Sequence, residues 1–179
     1  MGLILVRIYD SYDTAAKRAE TAAQVLKDTE MTDSFTGNEA TATRVNYGNI
    51  LGNGDNNDAL VTVSFGPENN IMAVYRKNGD SYEYAGTVGY FYGVDNISIE
   101  KLADRPDVII FRERNNQSIG AREKSGFIRG YMYQNGKFEN VLNIDENIES
   151  WFSSTDNGKT SWEKVEQTCV INPSENNQT

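Results

Sequence analysis

Along residues 13–27 the chain reads DTAAKRAETAAQVLK, and small or apolar side chains return at Ala15, Ala19, Ala22, Ala23 and Leu26 among charged neighbours. That spacing draws a stripe down one side of an α-helix built from strong helix formers. Asp13 or Ser11 is placed to cap its first turn. From residue 41 onward the period changes to two. Alternating apolar and polar positions predict strands over 41–47, 59–65, 71–77, 82–90, 97–101, 108–112, 127–133 and 138–144, with two more over 150–154 and 162–171. Residues 31–40 are polar and turn-rich, and they read as the connection from the helix into the β region.

The breaks between strands carry explicit turn chemistry. Asn78-Gly79 and Asn135-Gly136 each stand between two alternating runs, and Asn157-Gly158 does the same for the last pair. Asn-Gly in that setting is the strongest short-range hairpin signal, because both residues tolerate positive φ. The glycines over 86–93 sit in an aromatic, strand-like stretch with no helix or Lys-Ser/Thr after them, so they read as bulges or close-packing points rather than a phosphate loop. Residues 2–6 form a short apolar stretch that admits three readings: a first strand or helix turn, the remnant of a membrane anchor or signal segment, or a cleavable signal peptide. It is too short to span a bilayer.

The strand pattern also repeats. Residues 51–90 and 102–144 each contain a leucine, an acidic turn, an apolar strand (LVTVSF or VIIFRE), a loop, an aromatic strand ending in Asn-Gly and a further strand. A period of roughly 50 residues suits blade-type β repeats, which bury their apolar faces only by packing on a neighbour. A closed propeller needs about four blades or more. The expected fold is therefore mainly β (α+β), with either two blade-like antiparallel sheets packed together or one long curved meander. The N-terminal α-helix packs on it. This divides the chain into an N-terminal segment and helix (1–30), a β domain (41–171) and a polar tail (172–179).

The first acidic turn reads Asn53-Gly54-Asp55-Asn56-Asn57-Asp58 before Ala59-Leu60-Val61, and residues 102–110 repeat it in shortened form as LADRPDVII. It resembles the turn of FG-GAP and VCBS-type repeats of integrin-like propellers and many bacterial surface proteins. The resemblance implies a surface-exposed β module, and it implies Ca²⁺ held by side-chain oxygens of Asn53, Asp55, Asn57 and Asp58. The chain departs from the family where Leu51 replaces the usual first Asp and Ala59 a further acid. The residues themselves leave a second reading open, in which the Asp and Asn side chains satisfy backbone groups of the turn.

Charge and composition narrow the chemistry. Acids outnumber Lys and Arg by 26 to 17, a net charge of −9 that repels nucleic acid and anionic membranes. The densest basic run, Arg105, Arg112, Arg114, Arg122, Lys124 and Arg129, is interrupted by Asp104, Asp107, Glu113 and Glu123, so it reads as a mixed-charge solvated face. Histidine is absent, which removes the usual general base, the Ser-His-Asp and Cys-His triads and the commonest metal ligand. Cys169 is the lone cysteine and reads as a small strand hydrophobe. No spacing rule singles out a glycosidase acid pair. Tyr131, Tyr133, Trp151 and Trp162 are the candidate ligand or partner surface, against the alternative that alternating aromatics on strands are core.

The expected function is a non-catalytic cell-surface or secreted β module, working by binding or structural assembly, with a protein or glycan partner and no cofactor other than a candidate Ca²⁺. Two alternatives stand beside it. One is a small-ligand-binding or enzymatic domain whose helix closes a curved-sheet pocket. The other is an intracellular assembly protein pairing through the Ala-rich helix, which leaves a cytoplasmic location open.

Overall fold

The computed structural model describes residues 14–116, 118–119, 121–157 and 159–169; the stretch 2–6, Ser11, Asp13 and the tail lie outside them. Its elements are α1 (Ala15–Asp28), a 3-10 turn (Asp33–Phe35), then β1 (Ala42–Gly48), β2 (Asp58–Ser64), β3 (Asn70–Asn78), β4 (Ser81–Phe91) and β5 (Gly93–Glu100). These are followed by β6 (Val108–Asn115), β7 (Ser118–Ile119), β8 (Ala121–Gln134), β9 (Lys137–Asp156) and β10 (Lys159–Thr168).

The helix begins one residue later than expected, because Thr14 is its cap: the Thr14 hydroxyl accepts the Lys17 N–H at 3.3 Å. At the far end the Met31 N–H reaches the Leu26 carbonyl at 2.9 Å and the Glu30 N–H the Lys27 carbonyl at 3.3 Å. This is the Schellman pattern, with Glu30 at φ 60° in the position that glycine normally fills. The docked face is Ala22, Val25 and Leu26; Ala15, Ala19 and Ala23 of the expected stripe are exposed. The buried apolar residues fall in the second half of the helix, on a face that takes in Val25 and leaves Ala23 exposed. The Tyr75 hydroxyl, on β3, donates to the Asp28 carboxylate at 3.0 Å and pins the helix end.

The strands form two antiparallel sheets. The first runs β1-β2-β3-β4 and the second β10-β9-β8-β6-β5, with β7 paired to β8. Each is a meander of consecutive strands, and Tyr92 alone joins β4 to β5 as the chain passes from one sheet to the other. The central strands of the first sheet are buried on both faces. Val61, Val63, Ile71, Ala73 and Tyr75 meet the helix and Phe35, whereas Leu60, Met72, Val74 and Phe91 meet Ile109 and Phe111 of the second sheet. Helix, first sheet and second sheet are thus three layers with two apolar seams.

Two expectations about strands change. Residues 138–144 and 150–154 belong to one strand, β9, of 20 residues. The strand runs through polar Asp145 and Asn147 and absorbs Val141 and Glu146 as bulges against β8. Likewise β5 starts before residue 97, with Asn96 at φ 50° where its pairing with β6 is irregular. At the hairpins, Asn135 and Gly136 both have positive φ (52° and 82°), as a type I′ turn requires.

Because a left-handed backbone costs a non-glycine residue about 1–2 kcal/mol, Glu30→Gly is expected to stabilise the protein by about 1 kcal/mol, after the greater freedom of glycine in the unfolded chain is offset. Urea unfolding of the variant measures it. Equal or lower stability would mean that Glu30 is not strained there.

Candidate functional site

The acidic turn before β2 is organised by its last residue. Asp58 is 1 % exposed, and its Oδ2 accepts the Leu51 N–H at 2.8 Å. Burial pushes its carboxyl above the ordinary value of 3.8, against the pull of the Leu51 N–H and of Arg76. Asn49 Oδ1 accepts the Gly54 N–H at 2.9 Å and closes the rest of the loop. Asn53, Asp55 and Asn57 are exposed, so the buried member of the candidate Ca²⁺ set serves the backbone while the other three face outward. Among the described residues no group of three or more Cys, Asp or Glu side chains converges as a metal site.

The shortened second turn uses the same device. Asp107, immediately before β6, is 2 % exposed and accepts the Asn49 N–H at 2.8 Å, while its own N–H donates to the Asn49 carbonyl at 2.9 Å. A Cβ on Gly52 would lie 2.8 Å from Pro106 Cγ, and Gly52 has φ 75°, so only glycine fits this close approach. The two repeated turns are therefore clasped together at one end of the sandwich.

The four aromatic candidates divide. Tyr131 packs edge-on to Phe91 at 5.4 Å between ring centres and stacks on Phe111 at 5.9 Å, and Tyr133 meets Phe138 at 5.1 Å. Both lie against the seam between the sheets. Trp151 and Trp162 lie on the other face of the second sheet, its outer face, in the ladder rows Trp151 with Lys164 and Ser153 with Trp162. Trp162 is 57 % exposed. The grouping by residue type joined two sets that the pleat separates.

The basic run is resolved by the same two-residue period. In register, Arg114 of β6 stands beside Gly126, Asn147 and Thr168, and Arg112 beside Ile128 and Ile144. Arg112, Arg114 and Lys124 all take the outer face. Glu113, between the arginines in sequence, turns the opposite way: it is 6 % exposed, accepts the Tyr92 N–H at 3.1 Å and pairs with Arg129 Nε at 2.9 Å. Arg129 also covers the Phe127 ring at 4.5 Å, and Arg105 is exposed in the turn before β6. The side chain of Arg122 lies outside the described residues. A run of mixed charge in sequence is thus a set of three cations on one face and a buried acid on the other.

Those cations line a cleft of about 530 Å³ together with Asn116, Asn147 and Thr168, facing one acid, Glu146. Glu146 is the bulged residue of β9, and the bulge is what brings its carboxylate to Arg112, with which it forms an ion pair. Arg114 pairs with Asp95 at 3.1 Å. A guanidinium has five N–H donors, so one carboxylate partner leaves each arginine with donors to spare. Gly126 lies beneath the Asn147 side chain, whose Oδ1 occupies the place a Cβ would take. A second hollow of about 320 Å³ shares Arg114 and Asn116 and adds Arg44.

Further along the same face the tryptophans are held in place. The Trp151 indole N–H donates to Glu149 at 2.6 Å, and Lys164 Nζ reaches Glu149 at 3.2 Å and stands 5.6 Å from the Trp151 ring centre. The indole hydrogen bond, aided by Lys164, holds the Glu149 carboxyl below its ordinary range, and Glu166 and Glu149 together raise Lys164.

Asp58 sets a pH dependence of definite sign. Its folded-state pKa is raised by burial, so as pH climbs past 3.8 the unfolded chain loses the proton first and stability falls until the folded-state pKa is passed. Asp58→Asn keeps an acceptor oxygen but does not titrate. The stability advantage of the parent protein over this variant is expected to shrink with rising pH through that window and stay flat above it, measured by urea titrations from acid to neutrality. A gap that grows with pH would contradict the raised pKa.

Comparison with protein-family models, with curated proteins and with solved structures finds no match.

Proposed function

We propose that this chain is a non-catalytic β module of a cell surface or of a secreted protein, that it acts by binding, and that the outer face of its second sheet is the binding face. The observation that carries the reading is the sorting of Arg112, Arg114 and Lys124 onto that face, around an open cleft, in a chain of net charge −9. Cations gathered against the prevailing charge mark a place where an oppositely charged group is held. Two further features support a binding role over a catalytic one. The sequence has no histidine, and the acidic turns resemble FG-GAP and VCBS-type repeats. The helix buries Ala22, Val25 and Leu26 against a filled apolar layer, which favours this reading over a pocket closed by the helix.

The test is variant-dependent retention. The immobilised protein is expected to retain material from the envelope of its source cells, and Arg114→Glu with Lys124→Glu to lower that retention about tenfold, as charge reversal at a contact surface does. Equal retention by both proteins, or none by either, would overturn the binding face. Added protease is expected to digest the chain on intact cells; full protection would overturn the surface location.

A further inference from the structure

From the cleft and the two tryptophans together, we infer that the ligand is an acidic oligosaccharide, a sugar chain carrying carboxylates at intervals rather than on every unit. The inference rests on the outer face being the binding face and names what it binds.

The cleft supplies the donors an oxyanion needs. Arg112 and Arg114 present guanidinium forks, Lys124 an exposed ammonium, and Asn147 and Thr168 an amide and a hydroxyl. Forked donors match a carboxylate in two parallel hydrogen bonds. Gly126, lacking a side chain, leaves room for the Asn147 side chain to lie over the sheet among the cations. Glu146 and Asp95 hold the two arginines extended when no ligand is bound.

Beyond the cleft the same face changes character. The row after Asn147 carries Lys124, Glu149 and Glu166, the next carries Trp151 and Lys164, and the next Trp162. At about 3.3 Å per residue, Trp151 lies about 13 Å and the Trp162 row about 20 Å along β9 from the Asn147 row. Indole rings offer flat apolar surfaces on which the C–H faces of sugar rings stack; Trp162 is exposed, and Trp151 is half-buried with its angle fixed by Glu149. A chain lying in this track meets cations first, then carboxylates, then aromatic rings. Glu149 and Glu166 repel a ligand that is charged at every unit, such as a nucleic acid, and tolerate one whose neutral units pass over them. A sugar chain with spaced carboxylates satisfies all three rows.

The protein carries its own reporter, because Trp151 and Trp162 are its two tryptophans. Short oligosaccharides alternating a uronic acid with a neutral sugar are titrated at low salt while tryptophan emission is followed, beside a neutral oligosaccharide of equal length and a single-stranded oligothymidylate. The expected result is a saturable change with the alternating oligosaccharide and at least about tenfold weaker binding of the other two. Arg114→Gln with Lys124→Gln is expected to weaken binding about tenfold, Trp162→Ala several-fold, and Lys137→Gln, which removes one positive charge as Lys124→Gln alone does but at the Asn135-Gly136 turn, by less than about twofold. Each variant is melted first; if Arg114→Gln lowers the transition, Lys124→Gln alone carries the comparison, since that side chain is exposed. Equal binding of the neutral sugar or the oligothymidylate, equal loss in Lys137→Gln, or no response to the alternating sugar would overturn the inference. Envelope material still retained through Arg114 and Lys124, without a response to these sugars, would overturn the ligand class and leave the binding face standing.

Discussion

Two buried carboxylates hold the end of the molecule from which β2 and β6 set out. Asp58 fastens the loop before β2 to itself through Leu51, and Asp107 fastens the loop before β6 to Asn49 in the first loop. The second bond is the consequential one, because it joins residues far apart in sequence and fixes how one meander sits on the other. Burying an aspartate is unfavourable unless backbone N–H groups meet it. Both aspartates are so met, and Gly52 lets Pro106 come close enough for the clasp to shut. An oxygen-rich turn that looks built for a cation is here occupied with its own backbone.

Counting from those aspartates exposes an asymmetry between the two sheets. Ala59, Val61 and Val63 follow Asp58 at the same intervals at which Val108, Ile110 and Arg112 follow Asp107. The first set lies under the helix; the second lies on the outer face of the second sheet and belongs to neither apolar seam. One chain thus uses the same positions twice, once as a floor for α1 and once as a surface on which valine gives way to arginine. The β4 to β5 crossing through Tyr92, tied to Glu113, is the point at which these two uses diverge.

Much of the fold was legible because it rests on local rules. Helix formers over 15–28, alternation from 41 onward and the Asn-Gly turns are decided within a few residues, and each points to the element that forms. What escaped depends on neighbours brought in from a distance. Whether Ala19 or Val25 is the buried face depends on which side of the helix the sheet meets. The continuity of β9 depends on bulges that only β8 can define. The cleft was hidden for another reason. Arg112, Glu113 and Arg114 average to a neutral mixture when counted along the chain, and separate only when every second residue is taken. Of the three cations only Arg112 falls in a strand expected from the sequence; Arg114 and Lys124 join it because β6 and β8 run beyond the expected 108–112 and 127–133, and the acid is added by the bulge.

That dependence on period two shapes how the chain can change through time. Substitutions on the outer face alter that surface one residue at a time and leave the apolar seams intact. A single insertion or deletion within β6 or β8 does something different in kind: it carries every following side chain to the opposite face. Arg112 and Arg114 would then press into the seam occupied by Phe111, and Ile109 would emerge into water. Lengthening is tolerated where a ladder already accommodates an unmatched residue, as at Val141 and Glu146 of β9 or Ala85 and Val88 of β4. In a lineage of such proteins, drift in length is therefore confined to turns and bulges, and the outer face changes by replacement alone.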